Sequence, residues 1–271
     1  MRRNQLSFRP QLEALEDRTV PSTLTVTNNL GYVAPGSLPA EIAVAQSGDT
    51  IVFDPSLSGQ TIDLGQEPGF IGGQTQLVIG KNLDIEGLGA STLAISGGGS
   101  RVFLVEPGVQ ATISGLTIEN GNGKTGGYDA HGDDYKGGGI LNYGTLRLNN
   151  CTVSGNRVND GGFFGGGGIW NTGAMSLNGC TVSGNSASFE GGGIYNAGTL
   201  TINSSAITGN SAGYMGGGIY NDVNANLALY YSSVTGNTAS SGADLYSLGT
   251  AGQSYSVIGI AVGKIRQLKG H

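Results

Sequence analysis

Short runs in which apolar residues alternate with threonine, serine or asparagine follow one another along most of the chain. In residues 191–212, Leu200 and Ile202 lie two positions apart, and Ile207 belongs to the next short run. A period of two places successive side chains on opposite faces of a strand, and the Asn-Ser and Gly-Asn pairs between the runs are typical of tight turns. The pattern therefore predicts an all-β chain of short strands.

The runs belong to a repeated unit that starts with the residues GGGI. Copies begin at Gly137, Gly166, Gly191 and Gly216, and a degenerate copy begins at Gly242 as GADLY. The apolar residues that follow these glycines are separated by 29, 25, 25 and 26 residues, which suits one coil of a solenoid. Because one coil cannot bury its apolar face alone, we expect parallel strands stacked about 4.8 Å apart.

Stacking places equivalent residues of successive coils in columns. Two columns of asparagine are expected at the coil corners, where each amide hydrogen-bonds to the next. We interpret them as structural because every coil repeats them: Asn142, Asn171, Asn196 and Asn221 in one, and Asn156, Asn185, Asn210 and Asn237 in the other.

The two cysteines, Cys151 and Cys180, occupy equivalent positions in consecutive coils, where the next copies carry Ser205 and Ser232. This spacing suits a disulfide, but small buried thiols beside serine need no bond. We favour the reduced form.

A helix is predicted before the first coil. Ser37 is its expected N-cap, Pro39 lies in its first turn, Gly48 ends it, and a strand follows at Ile51. Such a helix covers the open end of the stack. The chain then divides into an N-terminal segment (1–22), the cap and first coils (23–136), the GGGI coils (137–262) and a basic tail (263–271).

The order of the segments resembles a family of bacterial surface proteins. GSLPAEI, SGDTIVFDPSLSGQTI, NLDIEGLGASTLAISG and the later GGGI…SGN repeats are similar to proteins with a CSLREA-type opening and right-handed β-helix repeats, and to the repeats of polymorphic outer membrane proteins. Gly36 stands where the name-giving cysteine would be, and Pro39 where an arginine is usual. The resemblance covers roughly residues 24–258 and implies a single-stranded right-handed parallel β-helix on an exported protein.

The N-terminal segment has no apolar core of the kind that a secretory signal peptide requires. However, RPQLEALEDRTVPS resembles the LExLExR-type motif of exported planctomycete proteins. The resemblance implies an extracellular or cell-surface location.

Composition excludes two classes of function. The net charge of −6 and the 12% content of charged residues do not suit a nucleic-acid binder. No apolar run approaches the roughly 18 residues that a membrane-spanning helix needs.

Two enlarged loops on adjacent coils are the first candidate site. Ile118 and the next GGG are 19 residues apart, whereas Val182 and its GGG are 9 apart; from Val153 the path is 13 residues and carries Arg157. The carboxylates of Asp129, Asp133 and Asp134 are candidate Ca²⁺ ligands because that ion prefers oxygen. His131 is a candidate binding residue. The ionisable residues of residues 120–139 are Lys124, Asp129, His131, Asp133, Asp134 and Lys136.

These loops admit a catalytic and a structural interpretation. Polysaccharide lyases of the wider β-helix class use Ca²⁺ with an arginine or lysine that abstracts an α-proton, and the resemblance places Arg157 or Lys136 in that role. The structural alternative, which we favour, is a solvated loop whose charges keep a glycine-rich insertion soluble.

The residue between Ile and Asn in each GGGIxN unit is the second candidate site. These residues are Leu141, Trp170, Tyr195, Tyr220 and Tyr246, and alternation places them on the outer face. We expect either an exposed aromatic stripe that binds sugar rings or a partner surface, or a ladder of rings that stack on one another.

Two hypotheses for function follow. The first is a non-catalytic surface or matrix protein that binds a carbohydrate or a surface protein. The second is a polysaccharide-degrading enzyme with its site at the loops 120–139 and 157–165. Lys264, Arg266 and Lys269 follow the last coil in a tail that we suspect is truncated, and an uncovered last coil predicts end-to-end self-association.

Overall fold

A computed structural model describes residues 20–65, 76–123, 135–159 and 165–268. Its N-terminal part contains one α-helix and the strands of the first coils. These elements are β1 Thr23–Val26, α1 Leu38–Val44, β2 Asp49–Phe53, a 3₁₀ turn at Pro55–Leu57, β3 Thr61–Asp63, β4 Leu77–Ile79, β5 Leu83–Glu86, β6 Ala94–Ser96, β7 Phe103–Val105, β8 Gln110–Ser114 and β9 Thr117–Glu119.

The GGGI copies fold into coils of three or four short strands. They are β10 Ile140–Asn142, β11 Thr145–Asn149, β12 Thr152–Ser154, β13 Arg157–Val158, β14 Ile169–Asn171, β15 Ala174–Asn178, β16 Thr181–Ser183, β17 Ser186–Ala187, β18 Ile194–Asn196, β19 Thr199–Asn203, β20 Ala206–Thr208, β21 Ser211–Ala212, β22 Ile219–Asn221, β23 Asn226–Tyr230 and β24 Ser233–Thr235. The last strands are β25 Leu245–Ser247, β26 Thr250–Ser254, β27 Val257–Ile258, β28 Ala261–Val262 and β29 Ile265–Gln267.

The strands form a right-handed parallel β-helix of about eight coils, as the repeat predicts. Sheet A has the order β1-β2-β5-β8-β11-β15-β19-β23-β26-β29, and sheet B the order β3-β6-β9-β12-β16-β20-β24-β27. Sheet C has the order β4-β7-β10-β14-β18-β22-β25-β28, and the short sheet D the order β13-β17-β21. Equivalent residues pair across coils, so that Ile169, Ile194 and Ile219 form one buried column.

The predicted capping helix is confirmed as α1. The Ser37 hydroxyl accepts a hydrogen bond from the Ala40 N–H at 3.3 Å, and Leu38 and Ile42 are buried in the core. The helix ends at Val44, one turn before the expected position, and Gly48 instead takes a positive φ of 96° directly before β2. Within the described ranges, no helix is long and apolar enough to span a bilayer.

The glycine triplets form the expected backbone turn and also allow neighbouring coils to pack closely. In the third copy only Gly191 has a positive φ, of 61°. A Cβ atom on Gly192 would collide with the carbonyl oxygen of Ser211, and a Cβ on Gly193 would lie 3.0 Å from the amide carbon of Asn210. The first glycine therefore makes the corner, and the other two leave space for the neighbouring coil.

Both asparagine columns are confirmed as hydrogen-bonded ladders. In the first ladder, from Asn142 to Asn221, each Nδ2 donates to the Oδ1 of the next coil at 2.7–2.8 Å, and the last amide donates to the Ser247 hydroxyl at 3.0 Å. In the second, from Asn156 to Asn237, the distances are 2.9–3.0 Å and the last acceptor is buried Asp244. Every buried amide in the second ladder is thereby paired.

Cys151 and Cys180 are buried and free, as we favoured from the sequence. The Cys151 N–H donates to Cys180 Sγ at 3.5 Å, and the neighbouring Cys180 thiol together with burial raises the pKa of Cys151. These thiols are therefore packing residues of the core.

The coil register continues beyond the expected start of the tail at residue 263. Strand β29 pairs with β26, with Ile265 opposite Ala251 and Arg266 opposite Gly252. Lys264 and Arg266 thus belong to a coil, and Lys269 lies outside the described residues. The expected self-association through this end stays a prediction.

Candidate functional site

The aromatic column lies on the outer face of sheet C, as alternation predicts. Strand pairing aligns Leu141 with Trp170, then Tyr195, Tyr220 and Tyr246. Leu141 and Trp170 form a small apolar cluster separate from the main core, and Tyr195 packs against it. The column is therefore outside the coil interior.

Two rings of this column are buried, which contradicts the exposed-stripe alternative and fits the ladder of stacked rings. Trp170 is 8% exposed and Tyr220 is 6% exposed, while Tyr195 and Tyr246 are half-buried. The physical reason is stacking along the solenoid. The ring centroids are 3.8 Å apart for Trp170 and Tyr195, 5.0 Å for Tyr195 and Tyr220, and 5.7 Å for Tyr220 and Tyr246.

This geometry bears on sugar binding. A sugar ring stacks on the free face of an aromatic ring, but in this ladder the faces are directed at neighbouring rings. Lys136 Nζ lies 5.5 Å from the centroid of the Trp170 ring, within reach of a cation–π interaction. The arrangement is therefore that of the structural alternative: the aromatic rings stack on one another and support the parallel coils.

Two carboxylates that the sequence reasoning missed lie beside the ladder. The Tyr195 hydroxyl donates a hydrogen bond to Asp222 Oδ2 at 3.0 Å, and the Val223 N–H donates to Asp222 Oδ1 at 2.7 Å. Glu190 is half-buried, and its side chain forms no hydrogen bond with a described residue. Each carboxylate stands where other copies have a different residue: Lys136 and Met215 for Glu190, and Tyr143 and Ala197 for Asp222.

Burial and the nearby charges change the proton affinity of this cluster. Burial raises the pKa of Glu190, and the carboxylate of Asp222 raises it further. Burial and Asp222 also raise the pKa of Tyr195, and burial raises the pKa of Tyr220 to about 12. The two tyrosines therefore stay protonated at neutral pH.

We expect Glu190→Gln to stabilise the protein slightly at pH 7. The folded chain binds the Glu190 proton more tightly than the unfolded chain, so stability falls as the pH rises from the ordinary value of 4.5 through the raised value. Because Glu190 is partly exposed, the gain is less than about 1 kcal/mol. Urea unfolding of the variant and the parent at pH 7 and pH 4 measures it, with exposed Glu86→Gln as control. An equal effect of both substitutions, or a gain at pH 4 only, would contradict this expectation.

Only part of the enlarged corner lies in the described residues. Arg157 is exposed on β13 and lines a recess of about 210 Å³ with Asn122, Tyr135 and Asn159. The candidate residues Asp129, His131, Asp133 and Asp134 lie outside the described residues, so the Ca²⁺ site and the lyase hypothesis stay predictions. Among the residues that are described, no group of three or more His, Cys, Asp or Glu is placed to hold a metal ion.

Arg101, which the sequence reasoning did not single out, connects the segments at this corner. Its side chain is fully buried. Nε donates to the carbonyl oxygens of Lys136 and Gly137 at 3.0 and 3.2 Å, and Nη2 to that of Gly123 at 3.4 Å. Nη1 donates to Gln76 Oε1 at 2.6 Å. One guanidinium thus holds both ends of the first enlarged loop.

The outer face of sheet A contains a polar groove of about 220 Å³. Asp84, Thr112 and Arg147 lie in one outward column on three consecutive coils. The rim is fixed by a hydrogen bond of 2.8 Å from the Gln110 N–H to Asn82 Oδ1. The side chains of Asp84 and Arg147 are exposed and form no hydrogen bond or ion pair with any described residue. The groove therefore presents one free carboxylate and one free guanidinium.

The sequence marks Arg147 as different from its equivalents in the other copies. Its strand reads TLRLN, whereas the equivalent positions of the later copies are Ser176, Thr201 and Ala228. A charge that occurs in one copy only cannot serve a role common to all coils.

Comparison with known proteins returned no match: no family model, no curated protein and no solved structure is detectably similar to this chain. The geometry of its own residues is therefore the basis for a functional proposal.

Proposed function

We propose that this protein is a rigid, non-catalytic binding rod of the cell surface or extracellular matrix, and that the groove on sheet A binds carbohydrate. The groove is open, lies along the solenoid axis and is lined by side chains that donate and accept hydrogen bonds. Sugars present many hydroxyl groups, so recognition depends on such polar groups placed on a rigid surface.

The observation that carries the proposal is the pair of unpartnered charges in the groove. Some other charged side chains take part in the fold: Lys81 Nζ donates to the carbonyl oxygen of Ala45 at 2.7 Å, and Asp49 caps two backbone N–H groups. Asp84 and Arg147 have no such role. Their side chains are available to a ligand that lies across Thr112.

The proposed location rests on the resemblance to exported surface proteins, which spans roughly residues 24–258, and on the N-terminal motif. A β-helix suits this setting because each coil is hydrogen-bonded to its neighbours, and the rod holds its binding face rigid along its length. Carbohydrate polymers are abundant ligands outside the cell. The lyase hypothesis is the alternative function.

Filling the groove tests the proposal. Thr112→Phe places a ring in the centre of the groove on a half-buried outward position, and we expect it to weaken binding to any glycan identified on an array by about tenfold or more. Thr201→Phe is the matched control, because Thr201 lies in the same column three coils away. Biolayer interferometry measures both affinities. If the purified rod binds no glycan, or if both variants bind as the parent does, the groove is not a carbohydrate site.

A further inference from the structure

We infer that the sheet A groove selects zwitterionic glycans, which carry an anionic group and an ammonium group on nearby sugar units. This inference rests on the proposed carbohydrate binding and adds the class of ligand. It is drawn from the opposite charges of Asp84 and Arg147 at the two ends of one groove.

Arg147 is the anion-binding group. A guanidinium presents paired N–H donors that match a carboxylate or sulfate, and an exposed arginine without an ion pair retains these donors for a ligand. The chain carries a net charge of −6, so general electrostatic attraction does not favour acidic polymers. Binding of an anionic unit must depend on this local contact.

Asp84 lies at the other end of the groove, two coils from Arg147, and restricts which part of a ligand can bind there. Thr112 separates the two charges, and two coil steps of about 4.8 Å place their backbones about 10 Å apart. An extended glycan covers this span with two or three sugar units. A uniform polyanion would bring a second negative charge against Asp84, at a separation shorter than the Debye length of about 8 Å at physiological salt, so the repulsion is not fully screened. An ammonium group at that point is instead attracted, as is a hydroxyl donor to a lesser degree.

The remaining contacts fit a polar, hydrated ligand. The Thr112 hydroxyl lies between the charges, and Gln110 and Thr145 are exposed outward residues of the adjoining column. These side chains are uncharged, so the two ends of the groove alone define its polarity. The groove thus distinguishes glycans by the sign and spacing of their charges.

Four probes test the inference on the full chain by isothermal titration calorimetry. We expect carboxymethyl chitosan, which carries both charges, to bind about tenfold more tightly than polygalacturonate, chitosan oligosaccharides or cellohexaose. Equal affinity for the neutral cellohexaose and carboxymethyl chitosan would overturn the inference while leaving carbohydrate binding intact. If none of the four probes binds and the glycan array also shows no binding, the proposed function is overturned instead.

Charge reversal supplies the sharper test. Arg147→Glu and Asp84→Arg, made singly, should each weaken carboxymethyl chitosan binding by about tenfold, and the double variant should return to within about threefold of the parent, because the groove again has one charge of each sign. Arg147→Lys and Asp84→Asn are milder variants in case a reversal lowers the yield of folded protein. Lys264→Gln on the last coil controls for net charge. No recovery in a folded double variant, or equal losses in the control, would overturn the inference.

Discussion

Replacement of Arg101 by methionine is expected to destabilise the β-helix by about 3 kcal/mol or more. The substitution removes hydrogen bonds to the carbonyl oxygens of Gly123, Lys136 and Gly137 and to the side chain of Gln76. Two of these acceptors, on Gly123 and Gly137, belong to buried residues around a fully buried side chain, so water does not replace the lost donor there. The two ends of the loop between residues 123 and 136 then lose their common anchor.

Urea unfolding followed by circular dichroism measures this effect. Arg157→Met is the matched control, because Arg157 lies at the same corner but is exposed, and a change within about 0.5 kcal/mol is expected there. Arg101→Lys keeps the charge but not the planar set of donors, so we expect an intermediate loss. If Arg101→Met and Arg157→Met unfold at the same urea concentration, the Arg101 guanidinium does not hold this corner.

The fold was predictable because the coils repeat. Parallel stacking places Asn171 beside Asn196 whatever the loop lengths are, so a period of about 25 residues and one asparagine per copy determine the ladder. The capping helix was equally local, since Ser37 and Pro39 specify its start. Its end was less certain, because Ala45, Gln46 and Ser47 do not by themselves mark the last turn.

The candidate sites were less predictable, for two physical reasons. Alternation correctly placed Trp170 and Tyr220 outside the coil, but their burial depends on the stacking of rings, which a period of two does not specify. The groove joins Asp84 to Arg147, which are 63 positions apart in sequence. Their alignment requires the register of the irregular coils before residue 137, where the GGGI repeat gives no guide.

The second large expected effect is that of replacing Asn196, which lies in the interior of the first asparagine ladder. Asn196→Leu should cost about 2–4 kcal/mol, because it removes the acceptor of Asn171 Nδ2 and the donor to Asn221 Oδ1, both at 2.8 Å. All three amides are fully buried, so neither partner regains a hydrogen bond from water. Leucine has the same branched arrangement of heavy atoms as asparagine but is bulkier, so the cost combines that of unpaired polar groups with that of tighter packing.

Asn142→Leu is the matched comparison at the start of the same ladder. Asn142 Oδ1 has no hydrogen-bond partner in the described residues, and the preceding coil carries Val105 at the paired position. The substitution therefore leaves only one ladder partner, Asn171 Oδ1, without its donor, and adds apolar contact with Val105. We expect Asn142→Leu to cost at least about 1 kcal/mol less than Asn196→Leu. Equal losses in urea unfolding would mean that the ladder hydrogen bonds do not set the cost, because Asn196→Leu leaves two ladder partners unpaired and Asn142→Leu leaves only one.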